Sequence, residues 1–416
     1  MDQETIIAQA EEILTRRYGG AQKLSGVDAL SGSGFAHVLR ARVATNPFLQ
    51  HRTVVVVKYS PETGNAVEDA AFLREVVAYQ FTTSLSEEAR PGPVLLGYDV
   101  DQRIMIISDS GEGDTLATLL DHADAESHVQ ILRNLGTALG RMHAGSAGRE
   151  HAFDVLFARA TNNRSGAETI QRLRERLLAH RIRFGLEMLE ASGIDVPGEV
   201  AITAANVQTR LFKGGSRAFT PFDLSPDNII YADRTQFLDY EWAGFRDVSF
   251  DVAFVVAGFP LYISEWDYNE EAVDAFIDAW LHEIRDTWPA FQHEDTLQAR
   301  ITGAMVSWAL SSLSVMGQFS LEELAARDEA LAEELAAAGI DVTDQVADGQ
   351  SSSTPQGAGP GILRPQSQGP FTHEEELVRR DFEETFDALA AYAGTGRDTA
   401  YLVIAEFART VAARFK

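Results

Sequence analysis

Apolar residues recur at different periods along this chain, and the changes of period mark out its organisation. Residues 3–18 carry Ile6, Ile7, Ala10, Ile13 and Leu14 on one stripe, which predicts an amphipathic helix. The pattern then turns to strands: 30–43 reads as strand, glycine-bearing turn and strand, and Thr53–Tyr59 is β-branched enough to be a buried strand. A helix is predicted from Val67 to Thr83, with Phe72, Val76 and Tyr79 on one side. Two more strands, 93–100 and 103–108, meet at the Asp101-Gln102 turn. From about 115 the pattern is helical, with Leu132, Leu135, Leu139 and Met142 spaced 3-4-3 on a core-facing helix ending near His143 and Gly145.

Inside that helical half lies one short strand pair, Ile229–Tyr231 and Gln236–Leu238. Helices are predicted near 270–288, 294–317 and 321–337. Residues 344–370, dense in Ser, Gln, Gly and Pro, bury too little apolar surface to order themselves and read as a flexible insert. Amphipathic helices over 372–393 and 397–415 close the chain and are expected to dock back on the helical half.

Composition narrows the function. The chain has 416 residues, 62 acidic against 35 basic, for a net charge of −27. Such a surface repels nucleic acid and anionic membrane and favours a cationic ligand. With no cysteine there is neither a disulfide nor a thiolate metal site, which fits a reducing compartment. No signal peptide layout opens the sequence, and no apolar run reaches the ~18 residues of a membrane span. The expectation is a cytoplasmic protein bound to neither nucleic acid nor membrane.

Chemistry concentrates in two places. Lys58 ends an apolar strand, and Glu75 lies among the apolar residues of the following helix; a buried ammonium and a buried carboxylate each need an opposite charge. Singly, each also reads as a side chain that reaches the surface. The second place is 219–253, where Asp223 is followed five residues later by Asn228, and the strand pair ends on Asp239. Hard oxygen ligands grouped in this way suit Mg²⁺ on phosphate. Asp223, at the head of the loop, can accept a proton from an attacking hydroxyl.

Asp223-Leu-Ser-Pro-Asp-Asn228 followed by Leu238-Asp-Tyr-Glu241 resembles the catalytic and metal loops of the aminoglycoside phosphotransferase and choline kinase-like family. The likeness spans roughly 20–320. The family pattern is about H-G-D-x-x-x-x-N, then D-x-[DE], then an Asp opening a helix. Pro221-Phe222 here replace the usual His-Gly, which implies a retuned loop or, alternatively, a nucleotide-binding pseudokinase or scaffold without turnover. The resemblance implies an α+β, protein kinase-like two-lobed fold, with a small β-rich N-terminal lobe and a larger, mostly helical C-terminal lobe. It implies transfer of the ATP γ-phosphate to a small-molecule hydroxyl, of aminoglycoside, amino-alcohol or sugar type. Asp223 would be the catalytic base, Asn228 and Asp239 the Mg²⁺ ligands, and Asp251 a structural anchor. Lys58 held by Glu75 would touch the α- and β-phosphates. The turn Gly32-Ser33-Gly34 would cover the phosphates. Ser108, Asp109 and Ser110, where the last sheet strand ends, would form the adenine-binding hinge.

The implied division is 1–110 for the nucleotide-covering lobe and 111–343 for the catalytic and acceptor-binding lobe. Residues 344–371 form the flexible insert and 372–416 the docking helices. His143 is expected to be a core residue and His37 a structural one. The arginine-rich helix 171–183 reads as a solvated face. Tyr262–Glu271, mixing aromatics with acids, is the stretch expected to wall the acceptor pocket.

Overall fold

The computed structural model describes residues 1–30, 36–44, 54–162, 164, 166–262, 270–316, 329–337, 339 and 360–416. The N-terminal lobe is built on a five-stranded antiparallel sheet. Its strands are β1 (Leu24–Leu30), β2 (His37–Val43), β3 (Val54–Tyr59), β4 (Leu95–Asp99) and β5 (Ile104–Ser108), in spatial order β1-β2-β3-β5-β4. Alternation on β3 decides what each face meets. Val55 and Val57 pack with Ile6, Ala10, Ile13 and Leu14 of helix α1 (Gln3–Tyr18). Val56 packs with Phe72, Val76 and Tyr79 of α2 (Ala66–Thr83). Lys58 falls on the Val56 face, because successive side chains of a strand point to opposite sides. Gly97 lets α1 come down on β4: a Cβ there would meet Ile13 Cγ2 at 2.7 Å.

The chain leaves β5 through Asp109–Gly113 and enters the helical lobe. A two-residue strand β6 (Asp114–Thr115) precedes α3 (Leu116–His122), α4 (Ala125–Ser146), α5 (Glu150–Thr161), α6 (Ala167–Ala191) and α7 (Gly198–Arg210). Strand β7 (Arg217–Thr220) then pairs antiparallel with β10 (Gly244–Asp247), and between them β8 (Ile229–Tyr231) and β9 (Thr235–Phe237) form a hairpin edged by β6. Helix α8 (Ser249–Val256) is buried along its whole length. It is surrounded by α9 (Glu270–Ile284) and α10 (Glu294–Met316). Helix α11 (Glu329–Ala337) precedes the closing pair α12 (His373–Gly394) and α13 (Thr399–Ala412), whose Phe382, Phe386, Phe407 and Val411 join the same core. The two-lobed α+β architecture is therefore the one expected. No helix among the described residues is long and apolar enough to cross a membrane.

Two expectations fail. The arginine-rich segment is only in part a solvated face, with Arg172 exposed. Within α6, Gln171 and Arg174 are buried, and Gly185 lies so close to α10 that a Cβ would meet Leu310 O at 2.0 Å. Its guanidiniums survive burial by donating to carbonyls and lying on an aromatic ring: Arg174 Cζ sits 4.2 Å from the Trp242 centroid. The flexible reading of 344–371 also stops short. Residues Pro360–Leu363 form a 3₁₀ turn in which Ile362 and Leu363 are buried in the main core. Arg379 of α12 holds that turn by donating to the carbonyls of Ile362 and Arg364 at 2.8 and 2.9 Å.

Candidate active site

The β7–β10 region delivers Asp223. Phe222, just before it, has φ +70°, a left-handed conformation that is uncommon outside glycine. Packing holds it there: its ring centroid lies 4.8 Å from that of Trp308, and Arg246 Cζ sits 4.6 Å above the ring. Asp223 Oδ1 then accepts from the Ser225 backbone N–H at 3.1 Å, an Asx turn that opens the loop. A 3₁₀ turn, Pro226–Asn228, follows, and the Asn228 carbonyl accepts from Leu238 N–H at 2.8 Å. That bond ties the Asn228 end of the loop to the residue before Asp239. Asp239 itself has φ 56°, which turns it out of the strand.

Asp251 and His143 support the loop from below. Both side chains are fully buried, with His143 Nε2 3.2 Å from Asp251 Oδ2. Trp280 Nε1 donates to His143 Nδ1 at 3.0 Å. Since Nδ1 accepts, the proton of a neutral ring sits on Nε2 and is donated to Asp251. The Phe222 backbone amide also faces Asp251, so the buried carboxylate sits beside the strained residue of the loop.

Across the cleft, Lys58 Nζ lies 2.8 Å from Glu75 Oε1 and 3.3 Å from Asp239 Oδ1. Burial works against the ammonium, but the Asp239 and Glu75 carboxylates outweigh it and raise Lys58 above its ordinary value. Burial pushes Asp223 above the usual carboxylate range, partly countered by the Ser225 hydrogen bonds, and the charge of Asp239 adds to the rise.

The structure thus brings Lys58, Glu75 and Asp239 together, with Asp223 and Asn228 on the same loop system. The hinge residues are placed differently from the glycine turn. Ser108 Oγ accepts from Val94 N–H at 2.9 Å, and Asp109 pairs with Arg40 at 2.7 Å. The Ser110 carbonyl accepts from Gln236 Nε2 at 2.8 Å. The Ser108 hydroxyl, the Asp109 carboxylate and the Ser110 carbonyl thus all serve the fold. Gly32, Ser33 and Gly34 lie outside the described residues, as do 263–269 of the expected acceptor wall. His37 stacks on Tyr59, centroids 5.8 Å apart, as a structural residue would.

Sequence reasoning passed over two acids. Glu241, two residues after Asp239, is pushed up to about 7 by burial, with the charge of Asp239 beside it. Its place in the D-x-[DE] pattern was the available clue. Asp227, beside Asn228, is raised mainly by burial and then by Asp239. Tyr262 stands within the field of Asp227 and of Asp121 from α3. Among the described residues no three His, Cys, Asp or Glu side chains form a ready metal cluster.

No family model and no curated protein matches this chain. Solved structures do. The macrolide 2′-phosphotransferase of Brachybacterium faecium is 16% identical over 80% of this chain and 97% of its own, with a TM-score of 0.47. An ADP-bound aminoglycoside phosphotransferase is 15% identical over 82% of this chain and 100% of its own, at 0.42. A choline/ethanolamine kinase family protein of Mesorhizobium loti is 14% identical over 84% and 97%, at 0.40. In the course of its chain this protein is similar to small-molecule phosphotransferases, at values too low to carry an argument about its chemistry.

Proposed function

We propose that this protein is an ATP- and Mg²⁺-dependent phosphotransferase that moves the γ-phosphate to a hydroxyl of a small molecule. The observation that carries the reading is the Lys58–Glu75–Asp239 group, joined by contacts of 2.8 and 3.3 Å across the two lobes. A lysine held between two carboxylates at a cleft is poised to give its charge to phosphate oxygens. Asp239 is suited to a metal: its side chain is 34% exposed, and its remaining lone pairs are hard oxygen donors. Asn228 adds a carboxamide oxygen. A Mg²⁺ ion takes one or two protein carboxylates and completes its shell from phosphates and water, which fits a site without a preformed cage. Bound Mg·ATP supplies the electrophilic phosphorus and the neutralising charge.

Asp223 orients the acceptor hydroxyl and takes its proton. Its raised pKa makes it a stronger base than an ordinary aspartate. Asp227, Asp121 and Tyr262 present acids and an aromatic ring next to this loop, which favours an amine-bearing or polyhydroxylated acceptor. The −27 net charge favours the same class.

The test is turnover of Mg·ATP against a panel of aminoglycosides, macrolides, amino alcohols and sugars. Asp223→Asn is expected to lose ~10²–10⁴-fold in rate while keeping its Mg·ATP thermal shift. A mutant as fast as wild type removes Asp223 from the chemistry. Nucleotide binding with no turnover on any acceptor would identify a scaffold instead.

A further inference from the structure

Helix α6 touches both lobes, and it does so through buried polar groups. Arg174 is the centre of the contact: Nη1 donates to the Val67 carbonyl of α2 at 2.6 Å, and Nη2 to the Glu241 carbonyl at 2.9 Å. One planar fork therefore joins the first turn of α2 to the loop that carries Asp239. Three residues earlier, Gln171 Nε2 donates to the Ala70 carbonyl at 2.6 Å, and its Oε1 accepts from Arg74 Nε at 2.9 Å. Arg74 Nη1 continues to Glu175 Oε1 at 2.8 Å and to the Ala243 carbonyl at 2.9 Å. Gln171, Arg174 and Arg74 are all buried.

These bonds fix more than the distance between two helices. Arg74 and Glu75 are neighbours on α2, about 100° apart around its axis. With Arg74 tied to α6 and to Ala243, α2 can hardly rotate, and the next side chain is turned towards Lys58. We propose that Gln171 and Arg174 are positioning residues: they brace α2 against the Asp239 loop, so that the Lys58–Glu75 pair is formed before nucleotide arrives. The inference rests on the proposed nucleotide role of that pair and adds a determinant of its competence. A buried arginine is a costly device for joining two helices when apolar side chains would pack there, and Arg174 Nε has no hydrogen-bond partner among the described residues. The fork is what lets one side chain hold two carbonyls on separate elements.

The brace is tested with Arg174→Met and Gln171→Leu, each keeping most of the side-chain volume. Amide hydrogen exchange is measured without nucleotide over α2 and, as an internal reference, over α4 and α9. Mg·ATP affinity and the acceptor KM are measured separately. The expected result is exchange at least ~10-fold faster in α2 with α4 and α9 unchanged. Mg·ATP should weaken ~10-fold as the competent state falls to about one in ten, while the acceptor KM holds. Unchanged α2 exchange overturns the proposal, and so does an equal rise in α2, α4 and α9, which would mark general destabilisation. Faster α2 exchange with unaltered ATP affinity overturns it as well. If the wild-type protein binds no nucleotide, the phosphotransferase reading fails by itself, and the exchange measurement still decides whether α6 braces α2.

Discussion

Replacing Lys58 with methionine removes the ammonium and keeps most of the stem, leaving the Glu75 carboxylate 3% exposed with no cation beside it. At the observed 2.8 Å, two unit charges in an effective dielectric of 20 attract by on the order of 6 kcal/mol before solvation is counted. Breaking one side of a buried pair costs about 3–5 kcal/mol net, because the remaining charge is stranded. Asp239, more exposed, should contribute little to that cost. The destabilisation should depend on pH. Burial pushes Glu75 above its ordinary 4.5 and Lys58 is the group that pulls it back, so in Lys58→Met the folded value rises. Stability from a group raised in the folded state is complete below the unfolded value and is lost as pH rises through the folded one. With Lys58 present Glu75 is already raised to about 8, so Lys58→Met should track wild type near pH 7 and fall below it only above pH 8, by up to about 3 kcal/mol at pH 10.

The assay is urea unfolding of wild type, Lys58→Met, Glu75→Gln and the double variant at pH 7 and pH 10, read as a double-mutant cycle. Differences between variants cancel the general easing of self-repulsion that acid brings to so negative a chain. The double variant should lose the pH dependence and recover much of the stability. A Lys58→Met protein with the same stability gap from wild type at pH 10 as at pH 7 would refute the reasoning.

Phe222→Ala should cost about 3–5 kcal/mol by urea unfolding for the lost ring. Phe222→Gly should then be more stable than Phe222→Ala by roughly 1 kcal/mol, because glycine accepts φ +70° without penalty; the reverse order would disprove strain at this position. Glu375, which caps α12 together with Thr372, is held down to about 2 by hydrogen bonds from Arg364 and the Thr372 backbone. A depressed carboxylate stabilises above its unfolded pKa and loses that contribution as pH falls. Glu375→Gln should thus melt below wild type at pH 6, the gap closing between about pH 4.5 and 2; a constant gap would contradict the pairing. Ile362→Ala should cost about 2–5 kcal/mol, whereas deleting 345–358 should leave the melting temperature nearly unchanged; insensitivity at Ile362 would remove the turn from the core.

Much of the N-terminal lobe was legible because a strand reports its two faces directly. Val54–Tyr59 alternates between α1 and α2, so the face of Lys58 followed from counting. The stripe of α2 likewise put Glu75 among buried neighbours, and a buried charge predicts a partner. The spacing of Asp223, Asn228 and Asp239 survives in the structure as one loop system, since a short hairpin leaves few ways to arrange its ends. Glu241 stands in the same motif without a role there, and its burial beside Asp239 is what marks it.

What escaped the sequence depends on which element covers which. Five arginines within 172–183 look solvated as a string, because an isolated helix would keep them in water. The fold brings Trp242 and the carbonyls of Val67 and Glu241 to that surface, and these allow Arg174 to be buried. Likewise Ile362 and Leu363 are the burial candidates of 344–371, but its polar composition does not say that they are buried; Arg379, arriving from α12, fixes their turn. That Asp239 joins Glu75 beside Lys58 was also tertiary. Lys58 and Asp239 are 181 positions apart, and the structure gives the ammonium both. Local periodicity determined which residues face inward, a property of each helix or strand alone. Whether an inward charge is neutralised, shared or stranded depends on groups distant in sequence, and only the packed chain decides that.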